Sequence, residues 1–416
     1  MADTTFFDTY LEAHRNEYTD MSDKIHGFKE LGYQEFKSVA LQQDYLRDHG
    51  FSIKEKLGGA ETAFYAEYGS GAPVIGFLGE YDALSGLGHG CGHHLLGTGG
   101  VAAAVALKEW FEEQAKGGKP VQGTIRYYGC PAEENGGGKT FMVRDGFFSD
   151  CDIALAWHPS DRNFVSGNGC LANYQVFYDF KGKSAHAAAN PESGRSALDG
   201  VELMDIGVNY LREHIPETSR IHYAITNSGG GSPNVVQSEA QVFYIIRSRH
   251  QRDLKELYER VNNCAQGAAL MTGTTVSWKK VAAYADFIYN APLAELVRDT
   301  LLPYESDTTL DPQKTGLGST DVGDVSWVVP TGYFHVATWT KGTPGHSQSI
   351  VDQGKSEKAY KGLLTAAKVL AKAAAHIYEH PEIVAQAKDS LKTALNGEVY
   401  DCGLEADLRP GDFSNK

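Results

Sequence analysis

The chain has 416 residues, of which 42% are apolar, so it can build a buried core and wholesale disorder is excluded. At about 150 residues per domain, this length predicts two to three domains. The formal net charge is −15 and no run of Lys or Arg offsets it, so binding to nucleic acid is not expected. The longest apolar runs, such as Val101–Leu107, are far shorter than the about 18 residues that span a bilayer, so no membrane insertion is expected.

The N-terminus and the cysteines bear on the compartment. The start of the chain has no basic region followed by an apolar stretch, so we predict no secretory signal and expect a cytoplasmic location. The six cysteines are too few for a disulfide scaffold and form no C-x-x-C pair. In a reducing compartment each is expected to be a buried thiol, a metal ligand or a nucleophile.

The first half of the chain alternates helix-like and strand-like patterns. In chain order these are a helix over Asp23–Arg47, a strand over Val74–Leu78, a helix over His94–Gln114, and strands over Thr124–Gly129 and Ile153–Trp157. This alternation is typical of an α/β fold with a mainly parallel sheet flanked by helices.

The pattern changes near Cys170. The next segments are a strand over Tyr174–Phe180, a helix over Ser196–Glu213, strands over Ile221–Ile225 and Val235–Ser248, a helix over Asp253–Met271 and a strand over Thr274–Lys280. This β-α-β-β-α-β order suffices for a small α+β, ferredoxin-like domain.

The α/β pattern resumes after Asn290, with helices over Leu293–Leu302 and Glu357–Tyr378. We therefore predict a catalytic domain of residues 1–172 and 287–416, interrupted by an inserted domain of residues 173–286. The polar tail after Asn396 is expected to be loosely held.

Three common catalytic motifs are absent from the sequence. Gly136–Thr140 looks like the end of a phosphate-binding P-loop, but Glu133 stands where the first glycine is required. No serine has glycine both two residues before and two residues after it, so there is no nucleophile elbow. The zinc motif H-E-x-x-H is also missing.

The sharpest chemical signal is the segment Gly88–His94, between a predicted strand and a long helix. Cys91 and His93 are separated by one residue, among glycines that let the backbone fold closely around a site. Thiolate and imidazole are ligands that suit zinc and neighbouring transition ions. The alternative is a glycine-rich turn with incidental histidines.

Other polar residues also follow predicted strands. Glu133 and Glu134 are adjacent carboxylates, which are costly to bury unless a solvent shell or a cation faces them. His158 ends the third apolar strand, and His346 lies in a loop of turn-forming residues. Each could be an ordinary turn or core residue. Asp82 follows the first strand and offers one more acid.

The joint pattern is stronger than its parts, because the carboxyl ends of parallel strands meet at one sheet edge. Five donors, enough for two ions that share a bridging group, could then meet there, leaving Glu133 to act as a base. These donors are Cys91, His93, Glu134, His158 and His346.

Three segments carry a family resemblance: Gly88–Thr98, Pro131–Gly138 and Ser319–Pro330. They resemble the metallopeptidase family of carboxypeptidase G, aminoacylases and auxin-conjugate amidohydrolases, and most of all its aminobenzoyl-glutamate hydrolase branch. That branch also holds dipeptidases that act on basic or β-alanyl dipeptides. The resemblance covers most of the chain, from Asp23 to His376.

The resemblance implies a role for each donor. Cys91 would bridge two divalent ions, His93 and His158 would complete one, and Glu134 and His346 the other. Glu133 would be the general base and Asp82 a supporting acid. The ions would be Zn²⁺, with Mn²⁺ or Co²⁺ as alternatives.

The resemblance also assigns residues of the inserted domain. His186 matches a histidine that reaches a partner subunit's active site in dimeric relatives, which implies a homodimer through this domain. Asn234 would line the substrate site, and Arg247 would bind a substrate carboxylate through its planar fork. Without the resemblance, His186 would be taken as a turn histidine and Arg247 as a surface charge.

Two positions depart from the family pattern. Plain zinc peptidases place a His where Glu80 stands, so Glu80 is left outside the predicted ligand set. His94 stands where many amidohydrolases have Asp, and its role is left open.

The implied function is metal-dependent hydrolysis of an amide bond to an amino acid with a free carboxylate, of the N-acyl amino acid or aminobenzoyl-glutamate type. A dipeptidase of the same family is the alternative. A catalytically inactive metal-binding protein is a more distant one.

Overall fold

The computed structural model describes residues 5–167, 169–311 and 318–412, so the first four residues used for the signal prediction lie outside it. The helices are α1 Thr5–Ala13, α2 Arg15–Phe28, α3 Phe36–Asp48, α4 His93–Lys116, α5 Gly138–Arg144, α6 Ala197–Leu211, α7 Gln251–Thr272, α8 Ala291–Leu301, α9 Val322–Ser326, α10 Gln348–Gln353, α11 Glu357–Glu379 and α12 Glu382–Leu395. The strands are β1 Ser52–Glu55, β2 Phe64–Ser70, β3 Val74–Glu80, β4 Gly123–Cys130, β5 Ile153–Ser160, β6 Phe164–Ser166, β7 Ala172–Lys181, β8 Arg220–Asn227, β9 Glu239–Ser248, β10 Thr275–Tyr284, β11 Thr309–Asp311 and β12 Thr331–Ala337.

The larger sheet has eight strands in the order β1-β2-β4-β3-β5-β12-β6-β11. Its central strands β4, β3, β5 and β12 run parallel, whereas β1 and β2 are antiparallel additions at one edge. The central strands are buried along most of their length because helices cover both faces of the sheet. Helices α4 and α11 are rich in alanine, which lets them pack closely on each other in the main core. The predicted α/β class is confirmed.

The smaller sheet is antiparallel, in the order β10-β7-β9-β8. Helices α6 and α7 pack on one of its faces and form a separate apolar core that includes Val176, Val242 and Leu254. Polar and aromatic residues alternate on the other face, which is directed toward the larger sheet. This geometry places one sheet face opposite the carboxyl edge of the central strands.

The single helix predicted over Asp23–Arg47 is wrong. Helix α2 ends at Phe28 and α3 begins at Phe36, because Lys29 and Tyr33 have φ angles of 52° and 63°. A left-handed residue cannot continue a right-handed helix. The connecting segment supplies Glu35, whose carboxylate accepts a hydrogen bond from the backbone N–H of Ala132 at 2.8 Å.

The start of strand β9 and the packing of the C-terminal tail also differ from the prediction. Strand β9 begins at Glu239, because Val235 forms only an isolated bridge with His186. The tail after Asn396 is packed against the protein: the Tyr400 hydroxyl donates to Asp324 at 2.7 Å, and Leu408 is buried. The expectation of a loosely held tail is therefore wrong for its described part. Within the described ranges, no helix is both long and apolar enough to cross a membrane.

Candidate metal centre

The polar groups at the carboxyl ends of three neighbouring strands converge. Strand β3 ends at Glu80 and leads to Asp82, and its partner β4 leads to Glu133 and Glu134. Strand β5, on the other side of β3, carries His158. Helix α4 begins next to these strand ends. It packs so closely on the end of β3 that position 97 must be glycine, since a Cβ there would lie 2.4 Å from the Glu80 carbonyl oxygen.

The five predicted metal ligands form two trios that share Cys91. The donor atoms of Cys91, His93 and His158 all lie within 4.8 Å of one another, and so do those of Cys91, Glu134 and His346. In the first trio Cys91 Sγ is 3.5 Å from His158 Nε2. In the second, His346 Nε2 is 3.5 Å from Glu134 Oε2. Residues from four distant segments of the sequence thus meet at one point.

Two of these donors have buried atoms with no hydrogen-bond partner among the described residues. They are His93 Nε2 and Glu134 Oε1. A buried polar atom without a partner costs about 1–3 kcal/mol, so proteins rarely leave one unused. A thiol, imidazoles and a carboxylate are a donor set that zinc prefers. The residues present therefore fit divalent metal ions.

Asp82 holds two of the donors in place. Its Oδ1 accepts a hydrogen bond from His93 Nδ1 at 2.8 Å, and its Oδ2 accepts one from the backbone N–H of Glu134 at 3.0 Å. The first contact fixes the tautomer of His93 so that Nε2 is the free donor atom. Asp82 thus orients one ligand from each trio and is not itself a member of either trio.

Glu133 lies beside both trios, and its Oε2 is 3.8 Å from His93 Nε2. The hydroxyl of Tyr284 donates to the Glu133 carbonyl oxygen at 2.8 Å and fixes the backbone. Burial raises the pKa of the Glu133 carboxyl well above its ordinary range, and the negative charges of Glu80 and Glu134 raise it further. This carboxylate is therefore disposed to accept a proton.

Three charged residues outside the predicted site, Glu80, Lys139 and Asp321, lie against the donors. Lys139 is fully buried, and its Nζ lies 2.6 Å from both Glu80 Oε1 and Asp321 Oδ1. Glu80 Oε2 has no hydrogen-bond partner among the described residues and is 3.3 Å from His93 Nε2. Glu80, His93 and Glu133 also have donor atoms within 4.8 Å of one another, so Glu80 lies against the predicted ligands even though the prediction leaves it outside the ligand set.

Backbone strain occurs at two positions of the site. Ala132 and His346 have φ angles of 56° and 49°, a region that non-glycine residues seldom adopt. Ala132 turns the chain so that Glu133 and Glu134 follow the end of β4, and His346 presents its ring toward Glu134. Strain of this kind concentrates at functional sites.

His94, whose role was left open, faces away from the centre. Its ring is buried 4.7 Å from that of His26, and its Nε2–H donates to the Gly354 carbonyl at 3.0 Å. Burial lowers the pKa of His94 well below its ordinary value, so it packs as a neutral residue.

The donors open into a cavity of about 920 Å³ between the two sheets. The wall opposite the donors includes Arg247, Arg220 and His222. Arg247 on β9 and Arg220 on β8 are paired neighbours in the smaller sheet. The only side chain that Arg247 contacts by a hydrogen bond, within the described part of the chain, is Ser319, at 2.6 Å. Burial lowers the pKa of its guanidinium. A half-buried cation without an acidic partner is suited to an anionic ligand.

His186 and Asn234 are not brought to this cavity by the same chain. They lie in neighbouring exposed segments, where the Ala187 N–H donates to the Asn234 carbonyl at 2.9 Å. Their predicted roles near the substrate therefore stay predictions that require a second subunit.

Comparisons with known proteins agree with this fold. The sequence profile of peptidase family M20/M25/M40 matches residues 76–395. The chain is 37% identical to one of the subunits of p-aminobenzoyl-glutamate hydrolase from Escherichia coli, over 97% of this chain and 98% of that protein. It is 33% identical to the Xaa-Arg dipeptidase of Mus musculus, over 82% and 80% of the two chains.

Solved structures show the same fold. An aminobenzoyl-glutamate utilization protein from Klebsiella pneumoniae superposes with a TM-score of 0.69 at 19% identity, covering 90% of this chain and 99% of that one. A dinuclear metal binding peptidase of Bacillus subtilis superposes with a TM-score of 0.63 at 18% identity, covering 88% and 99%.

The fold and the site define a metal-dependent hydrolase that acts on amide bonds. The chain belongs to peptidase family M20/M25/M40. The predicted family and enzyme class are confirmed.

Proposed function

We propose that the enzyme holds two divalent ions and hydrolyses the amide bond between an aromatic acyl group and an amino acid with free carboxylates. The observation that carries this proposal is the pair of donor trios sharing Cys91, with Glu133 beside them. Cys91 would bridge the ions, His93 and His158 would complete one shell, and Glu134 and His346 the other.

The charge of the site supports two ions. Within the described residues, five carboxylates meet around the centre, from Glu80, Asp82, Glu133, Glu134 and Asp321, and they are joined there by one lysine, Lys139. Buried charges of one sign are unstable unless they are compensated. Two divalent cations would supply four positive charges. We propose Zn²⁺ because of the thiolate and imidazoles, with Mn²⁺ or Co²⁺ as alternatives.

The side chains of the protein account for the proton transfers. Bound divalent ions lower the pKa of a coordinated water from 15.7 to about 7 and polarise a carbonyl oxygen. Glu133 would accept the proton of the attacking water and return it to the leaving nitrogen. Asp82 would hold His93 and the Glu134 backbone in place during this transfer.

Arg247 and Arg220, here called the arginine wall, would bind the amino-acid part of the substrate and determine which amino acid is accepted. The two residues present guanidinium groups on adjacent strands, which suits an amino acid with two carboxylates. A substrate whose amino-acid part has a cationic side chain would be repelled by the two guanidinium groups. The wall therefore favours an acidic amino acid over the arginine substrates that the name of the mouse relative describes.

A second cavity of about 690 Å³ adjoins the first and would hold the acyl group. The two cavities share Asn135, Gln175 and Phe243. Phe243 stacks on Phe177, with ring centroids 4.5 Å apart. Phe243 lies four residues from Arg247 along β9, so the ring pair is ~14 Å from the arginine at ~3.4 Å per residue. This spacing suits a substrate with a carboxylate at one end and an aromatic ring at the other.

We further propose that the enzyme is a homodimer through its second sheet, with residues 173–286 forming a lid and dimerisation domain. Exposed apolar residues on α6 and the edge strand β8 support this: Ile206, Tyr210, Tyr223 and Ile225. His186 would then reach the partner's cavity and donate to the tetrahedral oxyanion.

All six cysteines are free thiols, which supports a reducing, cytoplasmic setting.

A substrate panel tests the proposed function. The purified enzyme, supplied with Zn²⁺, Mn²⁺ or Co²⁺, would be assayed with N-aroyl derivatives of glutamate, alanine and arginine and with Xaa-Arg dipeptides. We expect the highest kcat/KM for the N-aroyl glutamate, at least ~10-fold above the arginine compounds, because each charge-assisted contact contributes about 1.5–3 kcal/mol. Preference for Xaa-Arg dipeptides would establish the dipeptidase alternative. Bound metal without turnover of any amide would establish an inactive binding protein.

Replacing Arg247 with alanine tests the carboxylate-binding role. We expect KM for N-aroyl glutamate to rise ~10–100-fold, because a charge-assisted hydrogen bond contributes about 1.5–3 kcal/mol. The N-aroyl amine without any carboxylate serves as the control substrate and should be turned over equally by both proteins. An unchanged KM for the glutamate substrate would remove this role from Arg247.

A further inference from the structure

A third cluster of metal-type donors lies far from the catalytic centre, in the last turn of α11. His376, Glu379 and His380 follow the spacing H-x-x-E-H and therefore share one helix face. Their donor atoms all lie within 4.8 Å of one another, and the two imidazole centroids are 4.3 Å apart. Among the described residues, it is the one such grouping outside the catalytic centre.

The position of the cluster separates it from the catalytic chemistry. Tyr378, in the same turn, packs edge-on against Phe111 with ring centroids 4.9 Å apart. Phe111 lies in the C-terminal half of α4, whereas His93 begins that helix. About eighteen residues at ~1.5 Å per residue place the two sites ~27 Å apart along α4.

One donor atom of the cluster has no partner. His376 Nδ1 is buried and forms no hydrogen bond with any described residue. An imidazole nitrogen of this kind is a common ligand for zinc-type ions. Glu382 adds a further donor, since its Oε1 lies 3.3 Å from His380 Nδ1.

The helix end itself favours a cation. Helix α11 ends at Glu379 with His380 as its C-cap, so the negative end of the helix dipole points at the cluster. Immediately after it, Pro381 turns the chain into α12, which buries only Ala387 and Leu391. An ion bound by His376, Glu379 and His380, with Glu382 within reach, would link the end of α11 to the start of this weakly anchored helix.

We propose that His376, Glu379 and His380, with Glu382 in reach, bind a zinc-type divalent ion as a structural site. Two imidazoles and carboxylates are the donors that Zn²⁺ takes from proteins. This site contains no thiolate, so it is chemically distinct from the centre at Cys91. It is also independent of the proposed substrate.

Metal stoichiometry tests the site directly. The full-length enzyme would be dialysed against Zn²⁺ alone, and bound zinc would be measured per chain for the wild type and for His380→Ala. The control variant is His214→Ala, which removes an exposed histidine just after α6. We expect His380→Ala to lose one equivalent while amide turnover stays unchanged and His214→Ala matches the wild type. Equal zinc content in all three proteins, or equal loss in both variants, would overturn the proposal.

A cobalt titration provides a second readout that does not depend on activity. Thiolate-to-cobalt charge-transfer absorption reports ions bound to a cysteine, and the proposed third site has none. His380→Ala and the conservative variant His376→Gln should therefore bind one equivalent less cobalt than the wild type and keep the full charge-transfer signal. If both variants keep the wild-type cobalt content, or lose the signal together with the cobalt, there is no separate site.

Discussion

Replacing Glu133 with glutamine is expected to lower kcat by on the order of 10³ while the bound metal stays at the wild-type level. The amide has nearly the shape of the carboxylate but cannot accept a proton, and general base catalysis contributes roughly 10²–10⁴ in rate. Glu133 belongs to neither donor trio that contains Cys91, so both ions should remain. Steady-state kinetics and elemental analysis of the same preparation would measure both effects.

The neighbouring residue provides the matched control. Glu134→Gln makes the same chemical change one position along the chain, but Glu134 belongs to the trio with Cys91 and His346. This variant should lose metal as well as turnover. Wild-type turnover in Glu133→Gln, or loss of metal from that variant alone, would show that the roles of the two glutamates are assigned incorrectly.

The second large effect is expected from Lys139→Met. Burial would lower the pKa of Lys139, but the carboxylates of Asp321 and Glu80 outweigh burial and raise it well above the ordinary range. Removing the cation leaves these two carboxylates buried without compensation, which costs about 3–5 kcal/mol. The free energy of unfolding, measured by denaturant titration of the metal-free protein, should fall by that amount.

Two further variants test whether the effect comes from the buried charge. Lys388→Met removes a half-exposed lysine that pairs with Asp152 at the surface, and should change stability by less than about 1 kcal/mol. Adding Asp321→Asn to Lys139→Met should recover part of the loss, because one unpaired carboxylate is then neutral. If Lys139→Met is as stable as Lys388→Met, the buried triad does not stabilise the fold.

The central sheet could be predicted from sequence because its strands are buried on both faces. Strands β3, β4 and β5 are short apolar runs bounded by glycines or polar turns, which is a local signal. Strands β2 and β12 were missed. Their sequences mix Gly, Glu, Tyr and His with apolar residues, and their extended conformation depends on pairing with β4 and β5.

The donor residues of the site could be predicted because each follows a strand or precedes a helix within a distinctive motif. The compensating charges could not. Lys139 contacts Glu80 across 59 residues of sequence and Asp321 across 182, and no local pattern links them. Arg220 was missed for the same reason, since it meets Arg247 only through the pairing of β8 with β9.

Anomalous diffraction from crystals of the zinc-loaded enzyme tests the two-ion centre most directly. Two peaks should appear next to Cys91 Sγ, one also bonded to His93 and His158 and the other to Glu134 and His346. A single peak at Cys91, or none, would contradict a dinuclear centre on these residues.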